Sequence, residues 1–390
     1  MPGELWNDEQ EHPVRHLRVI DMTVMLPAPY LTRLLAQYGA DVVKIENLPS
    51  GDPLRQPPYH KVFEVLNQGK RSVALNLRSK EGVSVVRQLA SEADIFVENL
   101  REGVMDGFGL GYAELSEENP DLIYCSLRGF RGKNAVHSGH DLNFIAVSGC
   151  GEWFLENGNP NYSTLYGDMI GGTFVPLIQL LFHVANPDRR GMQLVSYIDE
   201  NFRALYLPRV YELFRAGPHQ TLAFQQMNGS RPHSRFYRCR DGLWISLNAI
   251  QKKHWDLFCT VVDREAWKER MDDPTLVSEV EKLFADAPAT YWEALSANRE
   301  LCLFRVIPWD EHLISTTAAP QLSTDPLSWC GFAPNLSLCP APNLGTDTFS
   351  VMHSLGIDHK QIAEWMQAGH IYQPDGGKPS EAAKPPTDGQ

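Results

Sequence analysis

Leu17-Arg18-Val19-Ile20-Asp21-Met22, then Pro27-Ala28-Pro29-Tyr30-Leu31, then Asp41-Val42-Val43-Lys44-Ile45-Glu46 is the stretch whose reading decides the fold. The first run has strand character. Pro27 then opens a helical pattern through Tyr30, Leu31, Leu34, Leu35 and Tyr38 that stops at Gly39, and a second strand follows. A β-α-β unit with a proline start and a glycine stop predicts an α/β fold, a parallel sheet with helices packed on it. The same grammar recurs with Ser72–Leu77 as strand, Lys80–Ala90 as helix and Ala93–Glu98 as strand. A short helix around Tyr112–Glu117 leads to another strand at Leu122–Leu127.

Further along, the pattern predicts a helix over Thr173–Val184, a strand over Met192–Ile198 and a long helix over Asp199–Phe214. Arg235–Cys239 and Leu243–Leu247, joined through Asp241-Gly242, read as a hairpin. Lys252–Asn298 is helical in pattern, with Trp255, Phe258, Trp267, Leu276, Val280, Leu283, Trp292 and Leu295 as core candidates. This shift in composition marks a smaller second domain. Pro320–Pro342 is loop-rich, Thr346–Met366 is helical, and residues 373–390 are expected to be disordered. Gly107-Phe108-Gly109-Leu110-Gly111 has the spacing of glycines found in dinucleotide sites. It does not follow the first strand, and so it carries no such reading.

The 390 residues have room for two domains or one large discontinuous one. A formal net charge of −13 argues against broad binding of nucleic acid or of an anionic membrane surface. No run of about 18 uncharged apolar residues occurs and the first residues are acidic and polar, so the expected compartment is the cytoplasm. Seven scattered cysteines without CxxC spacing read as reduced side chains, neither a disulfide framework nor a zinc site.

The chemistry concentrates between Ser138 and Gly172. Gly139-His140-Asp141-Leu142-Asn143-Phe144 sets a histidine beside an aspartate, and Tyr166-Gly167-Asp168-Met169-Ile170-Gly171-Gly172 brings a second aspartate to the start of an apolar segment. Imidazole and carboxylate on two sides of one carbon can remove and return a proton, and a carboxylate can attack a thioester to give a mixed anhydride. The glycines after Asp168 are expected to admit a substrate close to the backbone. The N–H groups at the helix start would then steady developing negative charge. Taken alone, the same residues are more often helix caps and loop chemistry. A metal-dependent hydrolase with His137, His140 and Asp141 as ligands is a third possibility, without a further ligand cluster to complete it. Basic residues recur at strand ends, namely Arg55, Lys70, Arg71, Arg78 and Arg101, which in an acidic chain points to a phosphate-bearing ligand. The alternative for each is a solvated charge.

With these residues in hand, the chain resembles the class III CoA-transferase and α-methylacyl-CoA racemase family, also called CaiB/BaiF-like, from about Leu17 to Tyr372. The carriers are Leu17–Asp21, Gly39–Glu46, Gly51-Asp52-Pro53-Leu54-Arg55, Gly69–Leu77, Gly109-Leu110-Gly111-Tyr112, Gly167-Asp168, and Pro342-Asn343-Leu344-Gly345-Thr346-Asp347-Thr348. The resemblance implies a Rossmann-like large domain from both chain ends and a smaller α+β domain, paired in an interlocked homodimer. The domain bounds it implies are 1–200 for the large domain, 201–228 for a linker helix, 229–320 for the small domain and 321–372 for the return. It implies acyl-CoA thioester substrates, with the adenosine and phosphates held around Arg55, Lys70, Arg71, Arg78 and Arg101. No metal and no cofactor beyond coenzyme A itself is implied.

Within that family the resemblance leans toward the racemases, which carry histidine at the position of His140 and use it with the equivalent of Asp168 as two bases. The alternative is a CoA-transferase in which Asp168 forms an acyl anhydride and passes CoA to an acceptor carboxylic acid. Around Leu247–His254 the glycine run of many transferases is missing. Gln251 falls where racemases tend to have a glutamate bonded to the histidine; Asp141 is the candidate for part of that role. Trp153, Phe154, Tyr162 and Tyr166 are candidates for an acyl pocket, or for ordinary core packing.

Overall fold

The computed structural model describes residues 14–151, 165–186, 188, 191–205, 207, 211, 229–308 and 340–374. The chain divides into two compact units, one comprising 1–148, 163–204 and 322–390, the other 149–162 and 205–321. In chain order the strands are β1 Arg18–Met22, β2 Asp41–Asn47, β3 Arg71–Leu75, β4 Ile95–Glu98, β5 Ile123–Arg128, β6 Met192–Tyr197, β7 Ser234–Arg238, β8 Trp244–Asn248, β9 Leu303–Arg305 and β10 Ile371–Tyr372.

The first unit is built on a seven-stranded sheet of order β10-β3-β2-β1-β4-β5-β6. Strands β1 to β6 are parallel, and β10 closes the β3 edge antiparallel. Successive side chains alternate between two apolar layers. Ile20, Val43, Ile45 and Val73 meet Val85, Val86 and Leu89 of the helix Lys80–Ala90. Val19, Val42, Ile95 and Val97 meet Leu31 and Leu35 of Pro27–Gln37, together with Leu180 of Val175–Val184. A strand buried on both faces is rich in apolar residues, here interrupted toward the strand ends by Asp21, Lys44, Glu46 and Glu98, which find partners inside the fold.

The helix expected at Thr173–Val184 is α-helical only over Val175–Val184, and is preceded by a π-helical segment, Gly167–Phe174. By composition the span Gly167–Val184 is long and apolar enough to cross a membrane. In this fold Gly171, Gly172, Thr173, Pro176 and Leu180 are buried. The long helix expected over Asp199–Phe214 is seen as Ile198–Leu205; most of its remainder lies outside the described residues, as do most of 320–342 and the tail from 375.

The second unit holds the hairpin β7–β8 with Gly242 at φ 83 in the turn. A third strand, β9, is too short for its sequence to announce it. Trp255, Phe258, Trp267, Leu276, Val280 and Trp292 are all buried, whereas Leu283 and Leu295 are partly covered. Cys125, Cys150, Cys239 and Cys259 are buried and Cys302 is half-buried; Cys330 and Cys339 lie outside the described residues.

Beneath the carboxyl ends of β1 and β2 lies a buried ionic network. Lys70 Nζ meets Asp21 Oδ2 at 2.8 Å and also donates to the Pro29 carbonyl and Asn67 Oδ1. Thr23 and Thr32 donate their hydroxyls to the same carboxylate, and Lys44 bridges the Thr23 carbonyl to Asp52. Burial alone would raise the Asp21 carboxyl, but Lys70 and Lys44 beside it hold it well below the carboxylate range. Burial also pulls Lys70 down to about 8, against the opposing pull of Asp21. Lys70→Met strips Asp21 of its nearest cation, and an uncompensated buried charge costs about 3–5 kcal/mol. Urea denaturation of Lys70→Met is therefore expected to show a midpoint far below that of the parent chain.

Candidate active site

In an open, doubly wound sheet, ligands bind beyond the carboxyl ends of the strands where the strand order reverses, and here that point lies between β1 and β4. A cleft of about 390 Å³ opens there, lined by the turn after β1 from Val24 to Pro27 and by Asn99, Leu100, Arg101 and Glu102 after β4. Asn99 straps the two turns together, accepting from Val24 N–H at 2.9 Å and donating to the Val24 carbonyl at 2.8 Å. Met25 holds a positive φ of 68, a costly backbone conformation for a side chain of its size, at the mouth of the cleft.

His140 and Asp168 both line this cleft, as do His137 and Ser138. His140 is the N-cap of the helix Asp141–Val147. Its backbone N–H is accepted by Asn143 Oδ1 at 3.0 Å, and its imidazole is exposed. The neighbouring Asp141 points inward and is buried. Its Oδ1 accepts the backbone N–H of Asp168 at 2.9 Å. That bond joins the two segments that the sequence kept apart, and it sets the Asp141 carboxylate against the backbone of Asp168.

Asp168 consequently titrates far from an ordinary aspartate. Burial pushes it up and the charge of Asp141 adds to the effect, bringing it to about 7. It lies at the start of the π-helical segment, a winding that recurs at functional sites.

The glycines after Asp168 have a different use from the one expected. A Cβ on Gly171 would meet the Ile198 carbonyl oxygen at 2.5 Å, and one on Gly172 would meet Pro27 Cβ at 2.6 Å. They admit neighbouring chain, not substrate. The N–H groups nearest Asp168 are also engaged, that of Asp168 by Asp141 and that of Met169 by the Leu165 carbonyl at 2.8 Å. Neither is left to hold a developing oxyanion.

Of the five basic residues singled out in the sequence, Arg101 lines the cleft, donating to Ser138 Oγ at 2.6 Å. Arg55 is held by Glu46 and the Pro342 carbonyl, Lys70 by Asp21, and Arg71 in three bonds by Asp41. These three build the fold and do not line the cleft; Arg78 is exposed away from it. Gln251 caps the helix Lys252–Val261 in the second unit and is exposed. Trp153, Phe154 and Tyr162 lie outside the described residues, and Tyr166 is exposed. Among the described residues no three His, Cys, Asp or Glu side chains are grouped as metal ligands. Arg128, at the end of β5, lines the cleft and was missed, because nothing in its local sequence separates it from a surface arginine.

A family model described as CoA-transferase family III matches residues 15–322, so the chain belongs to that family and is an enzyme of the transferase and racemase kind. A succinyl-CoA:mesaconate CoA-transferase of Haloarcula marismortui is 31% identical over 77% of this chain and 76% of its own length. An α-methylacyl-CoA racemase of Mus musculus is 27% identical over 90% of this chain and 95% of its own. A solved CaiB/BaiF family protein from Brucella suis shares the fold with a TM-score of 0.72 at 20% identity, covering 89% of this chain and 100% of that one.

The electrostatics give a direct expectation. Asp141→Asn removes the like charge, so Asp168 should titrate closer to 3.8, the ordinary value. Carbon NMR of labelled aspartate carboxyls across pH 3 to 9 checks this; an Asp168 midpoint unmoved from about 7 would leave burial as the sole cause.

Proposed function

We propose that this family III enzyme catalyses α-proton transfer on acyl-CoA thioesters, as an α-methylacyl-CoA racemase-type epimerase. The observation that carries the reading is the placement of Asp168 and His140 on the walls of one cleft, with the Asp168 N–H held by the buried carboxylate of Asp141; burial and that neighbouring charge push the Asp168 carboxyl up to about 7. A carboxyl group with that titration point is half protonated near neutral pH, and so serves as acid in one direction and base in the other. A nucleophile gains nothing from being half protonated. In this reading His140 removes the α-proton from one epimer, an enolate forms, and Asp168 returns a proton to the other face; the reverse reaction exchanges the roles. Asp141 orients Asp168 through its backbone N–H and sets its proton affinity.

CoA transfer is the second reading, favoured by the likeness to the mesaconate CoA-transferase. There ionised Asp168 attacks the thioester carbonyl to give a mixed anhydride and CoA thiolate; the thiolate attacks the aspartyl carbonyl and frees the donor acid, and the acceptor carboxylate then takes the two steps in reverse, giving its own CoA thioester and regenerating Asp168. A homodimer fits either reading: the helix Val175–Val184 and the segment before it expose Phe174, Ile178 and Phe182 at four-residue spacing, an apolar stripe with the period of one helix face. A cytoplasmic setting fits the buried free thiols of Cys125, Cys239 and Cys259.

Proton NMR with a 2-methylacyl-CoA in deuterated water, with and without added carboxylic acids, separates the readings. Loss of the α-proton signal without an acceptor is expected. His140→Ala should slow this exchange by about 10²–10⁴-fold, the usual worth of a positioned proton carrier, and Asp168→Ala should slow it comparably. Robust exchange in His140→Ala would overturn the two-base mechanism, and a new thioester formed only with added acid would establish transfer.

A further inference from the structure

Arg128 sits at the carboxyl end of β5, on the wall of the cleft that holds His140 and Asp168. Its Nη2 donates to Glu98 Oε1 at 2.6 Å, and Nη1 makes a 3.3 Å bond to the carbonyl of Leu127. Glu98 is fully buried, and its other oxygen accepts the Leu100 N–H at 2.9 Å. Glu98 therefore fixes the guanidinium from one side and does not cover it. A guanidinium carries five N–H donors, and among the described residues the others of Arg128 have no protein acceptor.

Behind this pair lies a second cavity of about 210 Å³ that shares Glu102, Arg128 and Tyr197 with the cleft. Glu98, Glu102 and Asp106 line it against the single cation of Arg128. The Ser126 hydroxyl, buried and without a hydrogen-bond partner, faces it as well, a polar site suited to water. An anion is disfavoured there. On the cleft side Arg101 stands with Arg128 against Glu102 and Asp168, so the acidic excess of the second cavity is not repeated there. The walls of the cleft that holds His140, Asp168 and Arg128 include apolar side chains, among them Leu127, Phe130, Phe144 and Ile198.

We infer that Arg128 is a specificity-determining residue: it receives a carboxylate at the far end of the acyl chain, so that the cleft selects dicarboxylyl thioesters over their monocarboxylic counterparts. The methylenes lie along the apolar wall. The terminal carboxylate takes the free N–H donors of Arg128 in a charge-assisted contact, and the acidic cavity behind stops it from going deeper. This rests on the acyl-CoA reading of the cleft but not on whether proton or CoA transfer follows.

Titration calorimetry of the whole chain with succinyl-, glutaryl- and adipyl-CoA, each set against butyryl-, pentanoyl- and hexanoyl-CoA of equal length, tests it. At one chain length or more the dicarboxylyl thioester should bind at least about tenfold tighter, as expected for hydrogen bonds to a charged group. In Arg128→Gln that advantage should vanish while the affinity for free CoA stays unchanged. Because Arg128→Gln leaves Glu98 buried and unpaired, the double variant Glu98→Gln/Arg128→Gln provides the same test without a lone charge. No preference at any length in the parent chain, or a preference surviving in both variants, would overturn the inference. Weakened binding of free CoA in both would assign the guanidinium to a CoA phosphate and overturn it too. Failure of the parent chain to bind any thioester would instead overturn the acyl-CoA reading beneath it.

Discussion

The pairing of Asp21 with Lys70 is the interaction on which the rest of the first unit depends. Asp21 ends a strand at the centre of the sheet, where its charge has no water to face, and so it must be met by a cation from within. Lys70 supplies that charge from the turn before β3, and Lys44 adds a second from β2. The same network holds the Thr23 backbone by two bonds, one to its N–H and one to its carbonyl, immediately before the turn that lines the cleft. The charges that do not touch the candidate site thus decide where its rim lies. A buried pair of this kind contributes little net stability beyond an apolar substitute; its value is in fixing a geometry.

A second dependence links the fold to the chemistry. One oxygen of Asp141 accepts the N–H of Asp168, and its charge raises the Asp168 carboxyl. One side chain thus fixes the position of Asp168 and adds to the effect of burial on its proton affinity. Because Asp141 occupies that N–H, stabilisation of any oxyanion has to come from elsewhere in the cleft, which directs attention to groups such as Arg101, His137 and Ser138 on the opposing loop.

How much of this was legible in the sequence follows from how local each signal is. Strands β1 and β2 and the helix between them announce themselves, because strands buried on both faces are apolar and because Pro27 and Gly39, the latter at φ 103, mark the helix bounds. β9 and β10, three and two residues long, exist only through their partners. At the site, His140 and Asp168 could be picked out from their neighbours in the chain. The ion pairs of Arg55, Lys70 and Arg71 were not legible, because their partners Glu46, Asp21 and Asp41 lie elsewhere in the chain. Arg128 escaped notice for the reverse reason: its meaning comes from Glu98, thirty residues away and buried.

The clasp at the β3 edge bears on how the chain is made. Gly345 N–H is accepted by Ser72 Oγ at a separation of 273 residues, Asp347 accepts the Ser72 N–H, and Ala74 N–H is accepted by Thr348 Oγ1. β10 then covers the edge that β3 would otherwise present. During synthesis the first six strands emerge long before this clasp exists. A nascent chain carries an open strand edge and an unfilled apolar layer, where Val351, Met352 and Ile362 belong, until its last residues leave the ribosome. Closure over so long a loop is slow, so the growing polypeptide is a natural client for chaperones, and a premature stop shortly before residue 345 yields an aggregating product instead of a weakened enzyme.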